Sequence, residues 1–171
     1  MVSHINVITP HDLERIVKMG LVLTTHTNNY LYKALAINAG KMKPDQHDQI
    51  VPLNTLRDAG VTVSLATDNT PISLWYPVYQ TVARKDFRTK QVFGEKQALS
   101  RMEALRCATA NGAYLTFDEA KKGSLEPGKF ADLVVPSADP LTVAEDKLSD
   151  TTALMTMVGG KIVHETPGWA G

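Results

Sequence analysis

Cysteine is nearly missing from this sequence, with one residue, Cys107, among 171. An internal disulfide and a cysteine-based metal cluster are therefore excluded. A lone thiol suits a reducing compartment, and a cytoplasmic location is expected. Aromatic residues make up only 6%, and they form no exposed series on which nucleic-acid bases could stack. Excess charge is lacking too, because 18 Lys and Arg balance 18 Asp and Glu. Neither nucleic acid nor an anionic membrane is an expected partner. No apolar run approaches the roughly 18 residues of a membrane span. The opening MVSHINVITP has no basic segment followed by a long apolar one, so a secretory signal is not expected. HExxH, CxxC, GxSxG and P-loop motifs are all absent.

What is present centres on GVTVSLATDNTP, residues 60–71. An apolar run over 61–66 stops abruptly at Thr67, Asp68 and Asn69. A buried strand ending in a carboxylate can present an acid at the mouth of a parallel β/α structure. Taken alone, Asp68 serves equally well as a cap for the next element, with Pro71 and Ser73 as further helix-start signals.

The same unit occurs earlier. Thr9, Pro10 and Asp12 form a helix start, and Leu13, Ile16 and Val17 share one helical face. Gly20 stops that helix, and residues 21–25 read as a short strand that ends at His26, Thr27, Asn28 and Asn29. Residues 52–59 read as a second helix, stopped by Gly60 before the strand at 61–66. Helices feeding short apolar strands predict a parallel sheet covered on both faces. Residues 2–8 alternate loosely and add a third expected strand.

Residues 73–86 read as a helix. Arg84, Lys85, Arg88 and Lys90 form a basic run, expected to be a solvated helix end because no glycine-rich loop accompanies it. Ser100 and Glu103 make a capping box for a long helix over 100–115, with Cys107 as a small core residue. Beyond Lys121 the pattern turns to short strands. Residues 123–125 and 131–135 flank a type II turn at 126–129. Residues 154–158 and 161–164 form a hairpin around Gly159 and Gly160.

Three strand ends carry candidate chemistry: His4, His26 and Asp68. Histidine and aspartate converging from separate strands can bind a borderline metal such as zinc. Each also has an ordinary reading, as a polar residue near a chain end, a surface histidine and a cap. His11, His47 and His164 are expected to face solvent. Asn28, Asn29, Asn69, Trp75 and Tyr76 are expected on the walls of any pocket at these strand ends.

Order and wording add to this. The tail GSLEPGKFADLVVPSADPLT followed by MVGGKIVH, the helix SRMEALRCATANGAYL and the strand end LATDNTP resemble the C-terminal part of metal-dependent amidohydrolases. The resemblance runs from about Ser3 onward and is nearest the branch that includes N-substituted formamide deformylases. It implies an α/β fold: about three units of a (β/α)8 TIM barrel over 1–117, and part of a small antiparallel β-sandwich over 118–171. It also implies a divalent metal, zinc, at the strand ends. His4 matches the ligand histidine after the sixth strand, and Asp68 the aspartate after the eighth, which binds metal, activates water, or does both. His26 matches no usual ligand and is assigned to substrate binding, with Asn28, Asn69 and Trp75.

The family's opening His-x-His pair, its bridging lysine or carboxylate and its fifth-strand histidine have no counterpart here. Ser3 stands where this branch often has glutamate. The implied function is hydrolysis of non-peptide C–N bonds in small amide-type substrates by metal-activated water. The alternative is a catalytically inactive, truncated or split chain that acts by assembly. Unpaired strand edges predict a homo-oligomer, or a partner chain that supplies the missing barrel strands.

Overall fold

The computed structural model describes residues 1–169. Its first half is built on one repeated device. Helices α1 (Pro10–Lys18) and α3 (Leu53–Asp58) end in the same cap. After α1, Gly20 N–H donates to Val17 and Leu21 N–H to Ile16. After α3, Gly60 N–H donates to Arg57 and Val61 N–H to Leu56. This nested pair of bonds needs a left-handed residue, and the glycines have φ of 59° and 76°. Each cap turns the chain directly into a strand, β1 (Leu23–His26) or β2 (Val63–Ala66). The strands pair in parallel, with Leu23 opposite Val63 and His26 opposite Ala66. The spacing from Gly20 to Gly60 is also the spacing from Leu23 to Val63, so the sequence repeat and the sheet register coincide.

The expected strand over 2–8 is replaced by isolated pairings, Val2 with Leu23 in parallel and Val7 with Ile50 antiparallel. His4 has φ 61°, and a left-handed residue breaks an extended run. The segment still lies beside β1, because Val2 N–H donates to Val22 and Ile5 N–H to Thr24. Between β1 and α3 the chain forms a short π-helix (Asn28–Lys33), α2 (Leu35–Ala39) and a 3-10 helix (Pro44–Gln49). Leu23, Leu31, Leu35, Ile50 and Leu56 form the buried centre of the core.

Helix α4 (Trp75–Ala83) ends at Arg84, which has φ 44°. Arg84 departs from the expected solvated helix end, since its side chain is fully buried. Nη1 donates to Val51 O, Nη2 to Ile50 O and Nε to Phe93 O, at 3.0, 2.7 and 3.0 Å. Burial pushes the guanidinium down to about 10, although Asp48 opposes this. The group stays charged at neutral pH, with three carbonyl dipoles replacing water. Arg88 and Lys90 are exposed as expected. His47 is half-buried rather than solvent-facing: its Nε2 lies 3.1 Å from Ala39 O and its ring packs on Phe93.

The helix expected over 100–115 is two helices, α5 (Arg101–Ala108) and α6 (Ala110–Leu115), separated by Thr109 at φ −126° and ψ −84°. The Ser100–Glu103 capping box opens α5. Beyond the break, Asn111 Nδ2 donates to Val63 O on β2 at 2.8 Å.

In the tail, Lys129 N–H donates to Glu126 O across the expected turn, with Gly128 at φ 91°. Residues 123–125 form no strand. Gly123 instead lies hard against α6, where an added Cβ would fall 2.6 Å from that of Ala113. Strands β3 (Leu133–Pro136), β4 (Ala153–Val158) and β5 (Lys161–Glu165) form an antiparallel sheet in that order. Gly159 and Gly160, both at positive φ, make the predicted hairpin turn. A 3-10 helix (Glu145–Asp150) carries the buried Leu148 against α4. Among the described residues, no helix is long and apolar enough to cross a membrane.

Candidate metal centre

The first segment, β1 and β2 run side by side, and each brings one side chain able to ligate a metal to its C-terminal end. His4 follows the Val2 pairing, His26 closes β1, and Asp68 lies just past β2. One ligand atom from each lies within 4.8 Å of the other two. The two imidazole rings meet edge to face, with centroids 3.7 Å apart. His26 Nδ1 stands 3.4 Å from Asp68 Oδ2. Zinc bonds of about 2.0–2.2 Å set tetrahedral ligand atoms roughly 3.3–3.6 Å apart, so this pair already has the spacing of two ligands of one ion.

His26 Nδ1 is buried and has no hydrogen-bond partner. Its contact with Asp68 is close enough for charge attraction but is not aligned as a hydrogen bond. An orphaned buried nitrogen beside a carboxylate is what a cation would satisfy. The donor set, two imidazoles and one carboxylate, is that of catalytic zinc sites that leave a position open for water. The residues therefore fit a zinc ion.

The backbone is strained at this point. Asp68 has φ 66° and His4 φ 61°. Non-glycine residues in this region cost on the order of 1–3 kcal/mol and collect at functional sites.

Asn28 fixes the Asp68 loop from below. It is wholly buried. Its Nδ2 donates to Asn69 O and, at 2.9 Å, to Pro71 O, while its Oδ1 accepts from Gln80 Nε2 at 2.8 Å. The carboxamide, expected from sequence at a substrate pocket, is engaged on both its nitrogen and its oxygen inside the protein. It positions the residues that come after Asp68. Asn69 is half-buried, and its Oδ1 accepts from Lys33 Nζ at 2.6 Å. Tyr30 sets its hydroxyl 3.5 Å from His4 Nδ1. Trp75 stands elsewhere, on the wall of a cavity of about 740 Å3 shared with α6 and the tail strands. None of His4, His26, Asp68 and Asn69 lines that cavity.

His26 thus stands with His4 and Asp68, the other two strand-end candidates of the sequence. Its position at a strand end was visible, but its neighbours were not. Tyr30, Lys33 and Gln80 gave no signal, because the π-helix that aims the first two has no recognisable spacing in sequence.

Similarity to known proteins extends over the same region. The chain is 28% identical over 157 residues to N-substituted formamide deformylase of Arthrobacter pascens, covering 91% of this chain and 29% of that protein. It spans less than a third of the length of that curated relative. Among solved structures, an uncharacterized metal-dependent hydrolase from Pyrococcus horikoshii matches with a TM-score of 0.68 at 22% identity, over 84% of this chain and 30% of the other. An adenosine deaminase from Xanthomonas campestris, solved with bound zinc, matches with a TM-score of 0.63 at 18% identity, over 94% and 36%. At such identities the structures establish a shared α/β fold with part of each larger protein. The strand-end histidines and aspartate lie inside residues 1–164, all of which match the description "Amidohydrolase family", and the chain belongs to that family.

Proposed function

We propose that this chain provides the His4, His26 and Asp68 corner of a metal-dependent amidohydrolase that cleaves a non-peptide C–N bond in a small amide-type substrate. The observation that carries this is the convergence of three ligand atoms within 4.8 Å at the ends of three parallel segments. The deformylase and deaminase names of its relatives support C–N bonds as the target. In this reading the three segments are units of a (β/α)8 barrel, whose chemistry sits at the strand C-termini.

His4, His26 and Asp68 would hold zinc. When bound, zinc supplies Lewis acidity, polarising the substrate carbonyl and easing ionisation of water. Asp68 Oδ2 faces His26, and the other carboxylate oxygen accepts the proton of the attacking water. As the water oxygen bonds to carbon and the C–N bond breaks, Asp68 returns that proton to the departing nitrogen. Asn28 holds the loop after Asp68 so that the carboxylate does not swing away.

His4 and Asp68 are exposed, and β5 is exposed along its whole length with Ile162 and Val163 uncovered. These features favour an assembly, with a second copy or a partner chain closing the site and covering the sheet edge.

Calorimetric titration of the full chain with zinc, together with assays on simple N-alkyl formamides, tests the proposal. The expected result is one zinc per chain, lost in His4→Ala, His26→Ala and Asp68→Ala. Absence of zinc binding, or binding unchanged in all three variants, overturns it.

A further inference from the structure

Phe117 is held where its residue type is least at home. It follows α6 as the left-handed residue of the closing turn, with φ 60°. Phe117 N–H donates to Tyr114 O and Asp118 N–H to Ala113 O. This is the nested pair of bonds that Gly20 and Gly60 complete after α1 and α3, and glycine completes it with no Cβ to clash. A bulky residue at positive φ is an outlier. Phe117 is also 90% exposed. Backbone strain and an uncovered phenyl ring both cost free energy in a single copy, and a ring this exposed gains almost no burial in return.

The surface beside it has a hollow. Thr116, the preceding residue, lines the cavity of about 740 Å3 between α6 and the tail strands, whose walls include Trp75, Leu125, Leu133 and Met157. Thr116 and Leu125 are exposed, so the cavity opens to solvent. A largely apolar cavity of this size takes an aromatic group readily. Phe117 itself stands outside it. Tyr114, which accepts from Phe117 N–H, and Phe130, whose N–H donates to Lys121, are exposed as well. Charges nearby are paired within the chain, Asp118 with Lys122 at 3.0 Å and Glu126 with Lys129 at 3.4 Å. Glu119 and Lys121 add one exposed charge of each sign, and Asp132 on the wall accepts from Gly159 N–H. A second copy brought against this face meets a balanced rim.

We infer that this face joins two copies of the chain, each placing its Phe117 ring in the cavity of the other. A knob and a hollow on neighbouring residues of one copy are brought together reciprocally by a two-fold axis, which closes the assembly at a dimer. Tyr114, Phe117, Leu125 and Phe130 offer on the order of 500 Å2 per copy. Covering them on both sides removes about 1,000 Å2 from water, where specific interfaces begin. That burial offsets the strain at Phe117. The contact is separate from the exposed β5 edge and from the strand-end cluster, and it does not rest on the metal-site reading.

Sedimentation velocity of the full chain over a dilution series tests this. The native chain is expected to show a monomer–dimer equilibrium. Phe117→Gly should weaken it at least about thirtyfold, the loss of one hot-spot aromatic. The same variant should melt no lower than the native chain in dilute solution, because glycine suits φ 60°. Leu125→Glu leaves Phe117 intact and sets a carboxylate on the cavity wall, and it should weaken the dimer to a similar degree. Phe117→Trp should retain it. A native chain that stays monomeric at about 100 μM, or an assembly that persists unweakened in Phe117→Gly or in Leu125→Glu, overturns the inference. A melting temperature that falls in Phe117→Gly marks the ring as part of the fold and overturns it as well.

Discussion

His26 Nδ1 and Asp68 Oδ2 lie 3.4 Å apart, yet they form no hydrogen bond. Both lie at the ends of parallel strands whose register puts His26 opposite Ala66, two residues before Asp68. A buried imidazole nitrogen with no hydrogen-bond partner, beside a carboxylate, is a place that a cation would satisfy. Zinc is therefore expected to stabilise this fold measurably. At a free concentration about a hundredfold above its Kd the gain is ~2.7 kcal/mol, which raises the melting temperature of a chain of this size by roughly 5–10 °C. Differential scanning fluorimetry should show that shift in the native chain and none in His26→Ala or Asp68→Ala.

Asn28→Ala should damage the site from a distance. It removes a buried carboxamide and leaves Gln80 Nε2 and two loop carbonyls without their partner. Each buried group so orphaned costs on the order of 1–3 kcal/mol. We expect a loss of about 3 kcal/mol in urea unfolding. Zinc affinity should fall at least about tenfold, although Asn28 is not a ligand.

Arg84 makes a comparable case in the core. Arg84→Met leaves the carbonyls of Ile50 and Phe93 without their side-chain donor in a buried place, while Val51 O keeps only Leu53 N–H. A loss of about 3 kcal/mol or more is expected. Arg84→Lys should recover little of it, because an ammonium cannot reproduce the guanidinium fork.

Asp86 gives the acid limb of stability. Burial pushes its carboxyl up, but hydrogen bonds from Thr89, Ala36 and Arg88 N–H and the Thr89 hydroxyl outweigh this and hold it below the usual value. A folded-state pKa below the unfolded one means that the stabilisation is complete above the unfolded value near 3.8. It is lost as the pH falls from there through the folded value. Urea midpoints measured from pH 6 downward should drop at the acid end. In Asp86→Asn that part of the slope should be absent and stability lower throughout.

Cys107 should be chemically quiet. Burial, with Glu103 adding to it, pushes its thiol up to about 11. Only the thiolate reacts, so alkylation by iodoacetamide at neutral pH is expected to be about a hundredfold slower than in the urea-unfolded chain. Mass spectrometry of timed samples gives the ratio.

Local chemistry carried much of the architecture. Thr9 with Asp12 and Ser100 with Glu103 cap helices as their residue types demand. Gly159 and Gly160 turn the hairpin they were expected to turn. These signals span a few residues, so they survive in any tertiary setting. Where a residue left its local preference, sequence pattern misled. His4 entered the left-handed region and broke a strand, Thr109 split a helix, and Arg84 left a basic run for the core. His4 and Arg84 meet partners more than twenty positions away, Tyr30 for the first and Ile50 and Val51 for the second.

The sequence by itself determined the repeated cap and strand, and through them the parallel order that brings three polar ends to one edge. Glycine at each helix end and apolar residues after it leave the backbone few other choices. Tertiary structure alone decided what those ends do. It set His26 against Asp68, engaged Asn28 inside the protein and brought Lys33 to Asn69. These outcomes come from side-chain distances of a few ångströms between distant positions, and packing sets such distances where local pattern cannot.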